Sequence, residues 1–298
     1  MTTAAPPNPE LALRYCREVT RRRARNFYYG LKLLPEPQRS ALYAVYAWMR
    51  RADDLVDETG IDPQEAHRRI EDLRRSTVEA LAGRARSDDY VLVGLKEVQS
   101  RFDVPIEHFH EMLDGQLDDL TGRTYQTFDE LREYCRRVAS SVGIICISIW
   151  GYDDDRAPEL AVDRGIALQL TNILRDFAED HDAGRVYLPA EDFHRHELET
   201  SALRRWRDPQ RCGVFLRKQI DRAESFYVRS APLDELINPT CRPTLWAMTT
   251  IYHRLLGKIS RRPARLMSGR RVSLSPLEKC VIVLQARRRG RVVRKMKE

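Results

Sequence analysis

The stretch QLTNILRDFAED, residues 169–180, combines polar and apolar residues at a spacing that indicates an α-helix. Counted from Gln169, the residues three, seven and eleven positions on are Asn172, Asp176 and Asp180. At about 100° per residue, these side chains lie on one stripe, within about 60° of Gln169. A polar stripe on a helix usually faces solvent. Because apolar residues stand beside this stripe, the alternative is that the stripe faces inward and takes part in catalysis or binding.

A second stretch, ALYAVYAWMRRADDLVDE at 41–58, repeats the arrangement. Counted from Tyr46, the residues four, seven and eleven positions on are Arg50, Asp53 and Asp57. All four lie within about 40° of one line. Two Asp residues four positions apart repel each other on an isolated helix, so a positive partner is expected. Arg50 is one candidate, and a divalent cation is the better one.

Two helices that each carry Asp-x-x-x-Asp would place four carboxylates around one cavity. Hard oxygen ligands of this kind suit Mg²⁺, which binds through a few carboxylates together with substrate phosphates. Four carboxylates would repel a diphosphate unless metal ions bridged them, so the predicted partners are a diphosphate and several Mg²⁺ ions. One such motif is weak evidence, and Asp114 and Asp118 form a decoy with the same spacing. Two motifs with aligned amide or Arg partners are stronger evidence.

The composition indicates a soluble globular protein. The chain has 298 residues, 42% hydrophobic and 32% charged, and is long enough to bury a substantial core. It has no run of about 18 apolar residues and no basic segment followed by an apolar stretch near its start, so we expect a cytoplasmic location. The six Cys are scattered without a C-x-x-C pair, which argues against a disulfide framework or a zinc site.

Positive charge is concentrated at the end of the chain. Residues 287–298 contain seven Lys or Arg and one Glu, a local charge of +6. Subtracting this from the total of +7 leaves about +1 for the first 286 residues. The basic character therefore belongs to a tail, and we expect no nucleic-acid partner.

Segments with helical periodicity dominate the chain, and strand-like alternation is nearly absent. Nothing marks a domain boundary, so residues 1–298 are expected to form one all-α domain. Residues 1–10 are expected to be disordered. Helices are predicted over 11–30, 39–58, 65–83, 88–102, 105–121, 128–151, 158–182, 211–230, 241–260 and 273–288.

Three long segments resemble the squalene/phytoene synthase family. They are RARNFYYGLKLLPEPQRSALYAVYAWMRRADDLVDE at 23–58, EYCRRVASSVGIICISIWGY at 133–152 and GIALQLTNILRDFAEDHDAGRVYLP at 165–189. The resemblance implies a single-domain isoprenoid synthase fold, with helices around a central active-site cavity. It also implies a prenyltransferase, dependent on Mg²⁺ or Mn²⁺, that joins two identical allylic prenyl diphosphates head to head. The implied intermediate is a cyclopropylcarbinyl diphosphate.

The resemblance further implies roles for individual residues. The implied metal ligands are Asp53, Asp57, Asn172, Asp176 and Asp180. Arg50 and Tyr46 complete the implied catalytic set, Arg50 as a diphosphate contact and Tyr46 as a residue of the cavity wall. For each aromatic residue, plain core packing is the alternative. The residues implied to bind substrate are Phe27, Arg25, Tyr134, Gln169, Asn172, Tyr252 and Arg271.

The length of the prenyl chain is the open question. Two molecules of geranylgeranyl diphosphate would give phytoene, for carotenoid biosynthesis. Two molecules of farnesyl diphosphate would give presqualene diphosphate, dehydrosqualene or squalene, and NADPH is expected only for a squalene-forming enzyme. The segment from QLTNILRD to GRVYLP is typical of phytoene synthases, which favours the first reaction, but bacterial presqualene diphosphate synthases share it.

Three other classes of protein are alternatives. A nucleic-acid-binding helical protein would use the basic tail and show steeply salt-dependent DNA binding. A non-catalytic scaffold with surface Asp pairs would tolerate Asp53→Ala and Asp176→Ala. A terpene cyclase or chain-elongating prenyltransferase would share the metal chemistry but form a product from one prenyl chain or a head-to-tail product.

The basic tail suggests peripheral contact with the inner membrane surface. Each Lys or Arg near anionic lipid contributes about 1 kcal/mol of attraction, and the implied substrates and products are apolar. The alternative is a frayed, solvated chain end.

Overall fold

The computed structural model describes residues 8–56 and 61–295, without the side chains of 25–26 and 291–295. Throughout this part of the chain, helices form the architecture and no strand is present, apart from one isolated bridge between Tyr152 and Ile237. The predicted all-α class is therefore confirmed.

The first part of the chain forms a group of six helices. They are α1 Pro9–Arg23, α2 Arg25–Leu31, α3 Gln38–Val56, α4 Pro63–Leu81, α5 Tyr90–Arg101 and α6 Glu107–Leu120. The Asn8 side chain accepts hydrogen bonds from the backbone of Glu10 and Leu11 and so caps α1. The expectation of disorder is therefore wrong for residues 9 and 10, where a cap and a proline in the first turn favour a helix. The helix predicted over 11–30 is divided at Ala24.

The middle of the chain departs from the predicted continuous helix over 128–151. A π-helical segment, Arg136–Ser140, separates α7 Phe128–Cys135 from α8 Ser141–Trp150. Neighbouring helices approach this segment closely at glycines. A Cβ atom on Gly165 would lie 2.5 Å from the Cα atom of Ser140, and one on Gly115 would overlap Val138. The π segment is thus fixed by tertiary packing, which helical periodicity does not reveal.

The last part of the chain contains α9, a helix of 26 residues that runs through the centre of the fold. The elements are α9 Ala157–Asp182, α10 Ala190–Arg195, α11 Thr200–Arg204, α12 Pro209–Arg229, α13 Leu233–Leu236, α14 Arg242–Arg261, a 3₁₀ segment Pro263–Ser268 and α15 Pro276–Lys295. Several of these are too short to produce a periodic signal and were not predicted. Helix α15 extends beyond residue 288, so much of the basic tail is helical, in keeping with the helix propensity of Arg and Lys.

Two clusters of buried side chains hold the helices together. The first centres on residues such as Trp48 and Phe109, with contributions from α1, α3–α6 and α8. The second centres on residues such as Phe215, with contributions from α7, α9, α12, α14 and α15. Helix α9 joins them, because Ala161 belongs to the first cluster and Leu174 to the second.

Among the helices of the described residues, none combines the length and the apolar character needed to cross a bilayer.

Candidate active site

A cavity of about 520 Å³ is bounded by side chains from both buried clusters. One stripe of α9 lines it through residues three or four positions apart, which form a single face of the helix. From Ala161 to Asp176 this stripe extends about 22 Å at 1.5 Å per residue. The stripe consists of Ala161, Arg164, Gly165, Leu168, Gln169, Asn172, Arg175 and Asp176. Gln169, Asn172 and Asp176 of the opening stretch therefore face inward, whereas Asp180 is not among the lining residues of the described chain.

Asp176 lies between two guanidinium groups. The Nε atoms of Arg175 and Arg271 each donate to its Oδ1 at 2.8 Å. Burial raises the pKa of Asp176, but these hydrogen bonds outweigh burial and lower the pKa below its ordinary value. The carboxylate is consequently ionised at neutral pH, and two cations suited to bidentate binding of phosphate oxygens stand beside it.

Asp180 lies one turn beyond Asp176, with Arg185 Nη2 at 3.4 Å from its Oδ1. Burial raises its pKa, which Arg185 partly counteracts and the charge of Asp176 reinforces. A buried carboxylate next to a second carboxylate is stabilised when a cation binds between them.

Of the second predicted stripe, Asp53 on α3 lines the same cavity, whereas Tyr46 and Arg50 are not among the lining residues of the described chain. Gln116 Nε2 donates to its Oδ1 at 2.9 Å, and Arg50 Nη1 lies 3.5 Å from its Oδ2. Arg50 also donates from Nε to Asp54 at 2.8 Å. Asp57, the predicted partner of Asp53, lies outside the described residues.

Asn172 presents an unsatisfied oxygen near these carboxylates. Its Nδ2 donates to Gln169 Oε1 at 3.3 Å, whereas its Oδ1 is buried without a hydrogen-bond partner. Leaving such an acceptor unpaired costs about 1–3 kcal/mol, and a hard cation would satisfy it. Within 8–56 and 61–295, no group of three His, Cys, Asp or Glu side chains is assembled to hold a metal ion. The oxygen donors nevertheless fit Mg²⁺, which uses few protein ligands and keeps other positions for water and substrate phosphate.

The remaining predicted site residues fall into two groups. Phe27, Tyr134, Gln169 and Tyr252 line the cavity, and the rings of Phe27 and Tyr252 lie 5.5 Å apart. Tyr46 is not among the lining residues of the described chain. Burial raises its pKa to about 12, and the charges of Arg50 and Asp53 act on it, so it lies near them. The side chain of Arg25 lies outside the described residues.

Asp119 of α6 is a carboxylate on the cavity wall that the sequence did not predict. Tyr134 donates its hydroxyl hydrogen to Asp119, at 2.9 and 3.0 Å from the two carboxylate oxygens, and Tyr187 donates to Oδ1 at 2.9 Å. Met112, Gln116 and Asp119 all line the cavity at helical spacing. That spacing is the signal in the sequence that marks Asp119, and the pair Asp114 and Asp118 beside it obscures the signal.

The half of the cavity near the start of α9 has Cys146, Ile147, Trp150, Leu233 and Leu245 on its wall. Arg164 lies in the same half, where it is buried and donates to Asp234 at 3.0 Å, so its charge is paired. Arg175, Asp176 and Arg185 line the other half. The cavity therefore has one charged end and one largely apolar end. This arrangement suits the class of proteins that act on amphiphilic anions.

Within that class, the chain belongs to the squalene/phytoene synthase family. The family model described as "Squalene/phytoene synthase" matches residues 20–278.

Relatives with curated names agree with this membership. The chain is 39% identical over 283 residues to the phytoene synthase of Mycobacterium tuberculosis, covering 93% of this chain and 91% of the relative. It is 34% identical over 259 residues to the 15-cis-phytoene synthase of Synechococcus elongatus, covering 82% of each.

Solved structures agree on the fold. A dehydrosqualene synthase in complex with a ligand superimposes with a TM-score of 0.84 at 28% identity, covering 94% of this chain and 96% of the other. The squalene synthase HpnC from Alicyclobacillus acidocaldarius gives a TM-score of 0.79 at 26% identity, covering 86% of this chain and 95% of the other. The predicted isoprenoid synthase fold is thus confirmed.

Proposed function

We propose that this protein is a prenyltransferase that joins two identical allylic prenyl diphosphates head to head through a cyclopropylcarbinyl diphosphate. The favoured reaction converts two geranylgeranyl diphosphates to phytoene, in carotenoid biosynthesis. The observation that carries the proposal is the α9 stripe, which links a charged end and an apolar end within one cavity. The relatives named phytoene synthase support the C20 substrate.

The alternative reaction uses two farnesyl diphosphates and gives presqualene diphosphate, dehydrosqualene or squalene. The similarity to solved structures named dehydrosqualene synthase and squalene synthase supports this alternative reaction. NADPH belongs to the proposal only if squalene is the product.

Mg²⁺, or Mn²⁺ in its place, is the proposed cofactor. The residues that would hold it are Asp53, Asp57, Asn172, Asp176 and Asp180. When bound, such a metal ion stabilises negative charge that develops on a leaving diphosphate.

Arginines at the charged end bind and orient the diphosphate groups in this proposal. Arg175 and Arg271 both contact Asp176, and Arg50 lies beside Asp53. Preorganised cations at the leaving group lower the barrier to breaking the C–O bond, because they need no reorganisation as charge develops. Arg25 remains a predicted substrate contact at this end, and Tyr46, which does not line the cavity in the described chain, remains a predicted catalytic residue.

The apolar end shields the prenyl chains from water. A carbocation is quenched by water, so a dry wall protects the coupling reaction. Phe27 and Tyr252 present aromatic rings to the cavity, and the face of an aromatic ring stabilises a nearby cation. Tyr134 and Gln169 complete the proposed substrate-binding wall.

The test is incubation of the purified protein and Mg²⁺ with farnesyl or geranylgeranyl diphosphate, with and without NADPH, followed by mass spectrometry. We expect a head-to-head product from one of them. Asp53→Asn and Asp176→Asn should each lower kcat/KM by about 100-fold or more. Asp129→Asn is a matched control, because its side chain is 79% exposed.

Absence of a coupled product with both substrates would overturn the proposal. A product from one prenyl chain would identify a terpene cyclase instead, and a head-to-tail product with isopentenyl diphosphate would identify a chain-elongating prenyltransferase.

We also propose that the protein contacts the cytoplasmic membrane surface through α15, from a cytoplasmic location. Leu277, Val281 and Leu284 lie on one face of this helix and are 74%, 37% and 56% exposed. Exposed Arg287 and Arg288 follow them. An apolar face next to a basic segment is typical of helices that lie in an anionic membrane surface.

A further inference from the structure

A second pocket, of about 310 Å³, lies among α1, α2, α3 and the turn between α2 and α3. Its volume is at the lower end of the range for small-molecule sites, about 300–1,000 Å³. Among the residues that the structure describes, none lines both this pocket and the active-site cavity. Helix α2 separates them, because Phe27 lines the cavity and Tyr28 lines the pocket. The second pocket is therefore a distinct chamber beside a helix of the active site.

Positive charge exceeds negative charge on the wall of this pocket. Four basic and two acidic side chains line it, which leaves a net charge of +2. These residues are Glu10, Arg14, Arg17, Lys32, Glu36 and Arg39. Like charges that share one concave surface repel each other and attract an anion into the space between them.

Most of this positive charge has no carboxylate partner. Arg39 pairs with Glu36 at 2.8 Å. Over 8–56 and 61–295, however, Arg14, Arg17 and Lys32 form no ion pair. Three cations from α1 and the turn after α2 are thus available to a ligand.

The other end of α1 shows that exposed arginines of this helix do form ion pairs where an acid is in reach. Glu18 contacts Arg21 at 2.8 Å and Arg22 at 2.6 Å. The unpaired cations are consequently concentrated at the pocket rather than spread along the helix.

Tyr43 supplies a neutral donor on the wall of the pocket. The residue is 3% exposed, its ring stacks on Tyr28 with centroids 5.9 Å apart, and its hydroxyl forms no hydrogen bond within the described chain. Burial and Tyr28 raise its pKa to about 12, although the charges of Arg39 and Arg17 oppose the shift. The hydroxyl therefore keeps its hydrogen at neutral pH and can donate it to an anion.

We propose that this pocket is a binding site for a phosphate group, separate from the diphosphate sites of the proposed coupling reaction. The planar guanidinium groups of Arg14 and Arg17 suit paired hydrogen bonds to phosphate oxygens, and Lys32 adds a point charge. Tyr43 donates one further hydrogen bond. The phosphate belongs either to a small soluble ester or to the headgroup of a phospholipid, since both present the same chemistry.

The first test is calorimetric titration of the full-length protein with inorganic phosphate in the absence of Mg²⁺. Arg14→Gln with Arg17→Gln should weaken one binding step by about tenfold or more, because charge-assisted hydrogen bonds are lost. Both arginines are exposed, so the double variant should fold. Arg271→Gln, in the active-site cavity, should leave this step unchanged.

Arg21→Gln with Arg22→Gln is the matched control. It removes the same two charges from the same helix, but from arginines that pair with Glu18. We expect the phosphate affinity to change by less than about threefold, because exposed charges away from the pocket are screened. Equal losses in the two double variants would overturn the proposal, since binding would then follow net charge alone.

Tyr43→Phe separates a built site from general attraction to positive charge. It keeps every charge and removes one hydroxyl group, so affinity for phosphate should fall by about threefold to tenfold. Urea unfolding confirms that the variant is folded. Phosphate affinity in folded Tyr43→Phe equal to that of the wild-type protein would contradict the assignment.

Vesicles distinguish the two sources of the phosphate group. If the ligand is a lipid headgroup, the protein should sediment more with vesicles containing phosphatidic acid than with vesicles of equal charge containing phosphatidylglycerol. Arg14→Gln with Arg17→Gln should remove that difference. If the ligand is a soluble ester, the two kinds of vesicle should give equal sedimentation while inorganic phosphate still binds at the pocket.

Absence of pocket-dependent binding of both inorganic phosphate and phosphatidic acid would overturn the inference. This result is independent of catalysis. Failure of the wild-type protein to couple prenyl diphosphates would remove the proposed function and leave the phosphate site standing.

Discussion

At the scale of single residues, one atom of Asn172 supports the proposed metal site. Its Oδ1 is buried without a hydrogen-bond partner, and its position on the α9 stripe places it one turn before Asp176. Folded proteins rarely leave a buried acceptor unpaired, and the exceptions often mark a bound ion or a functional site. We therefore expect this oxygen to matter for metal affinity more than for folding.

Asn172→Ala should weaken binding of Mn²⁺ with inorganic diphosphate by about tenfold or more, as for other losses of an oriented polar group at a metal site. The free energy of unfolding without metal should change by less than about 1 kcal/mol, because no hydrogen bond to Oδ1 is lost. Electron paramagnetic resonance measures the first quantity and urea unfolding the second. Asn238→Ala is the control, since Asn238 lies in a turn with Thr240. Unchanged Mn²⁺ affinity in Asn172→Ala would contradict the assignment.

At the residue scale, sequence spacing assigns the side chains of one helix to a common face. The spacing from Gln169 to Asp176 was sufficient to place three residues on the cavity wall. The spacing did not identify Asp119, because the two tyrosines that donate hydrogen bonds to this carboxylate are 15 and 68 residues away along the chain. Helical periodicity describes one element at a time and carries no information on such partners.

At the scale of elements, the π segment explains why residues before and after it face the same cavity. Tyr134 and Trp150 would lie about 160° apart around an uninterrupted α-helix. A π turn accommodates one additional residue, which reduces this angle to about 60°. Both residues line the cavity in the structure. A prediction of one regular helix over 128–151 could not produce this wall.

Gly165→Ala tests the packing that accompanies the π segment. The new Cβ would lie 2.5 Å from Cα and 2.7 Å from the backbone nitrogen of Ser140, so backbone must move. We expect a loss of about 1–3 kcal/mol in the free energy of unfolding, measured in urea, together with reduced activity. Gly213→Ala, where a Cβ meets nothing within 4 Å, should stabilise its helix by up to about 1 kcal/mol. Equal effects of the two substitutions would contradict this account.

Asp192 joins α10 to α12 through a buried ionic network. It accepts hydrogen bonds from Lys218 at 2.5 Å, Gln219 at 2.9 Å and Arg222 at 2.7 Å. Burial raises its pKa, but these donors, with Arg222 the strongest, outweigh burial and lower the pKa to about 2. A pKa below the unfolded value of about 3.9 contributes stability that is complete above about pH 5 and is lost as pH falls toward 2.

Asp192→Asn should therefore lower the free energy of unfolding by about 2–3 kcal/mol at pH 7. The difference from the wild-type protein should shrink at pH 3, where the wild type begins to lose the same interaction. Urea unfolding at both pH values measures it, with the exposed Asp129→Asn as control. A difference that is the same at pH 7 and pH 3 would argue against the network as its source.

At the scale of the whole molecule, α15 predicts reversible attachment to anionic vesicles. Full-length protein should co-sediment with them at low salt and be released at high salt, because screening weakens the attraction of exposed Arg287 and Arg288. Removal of residues 287–298, or Leu277→Ser with Leu284→Ser, should reduce sedimentation. Val214→Ser with Val228→Ser is the matched control, since these residues of α12 are also exposed. Equal sedimentation of the full-length and shortened proteins would remove the proposal.

The general architecture was predictable because long amphipathic segments determine a helical fold. The boundaries of α9 differ from the prediction over 158–182 by one residue at its start. The connections between the long helices were less predictable. Short elements such as α10, α11 and α13 depend on tertiary contacts rather than on periodicity.

The length of α9 has an evolutionary consequence. Its stripe extends about 22 Å from Ala161 to Asp176, so in the proposed function the residues that would limit a prenyl chain stand far from those that would hold its diphosphate. Substitutions at one end can change which substrate is accepted without displacing the carboxylates at the other. The preferred length of the prenyl substrate can therefore change among descendants of one ancestor, while the residues for the coupling reaction are kept. A family that includes proteins named phytoene, dehydrosqualene and squalene synthase is the outcome such a helix permits.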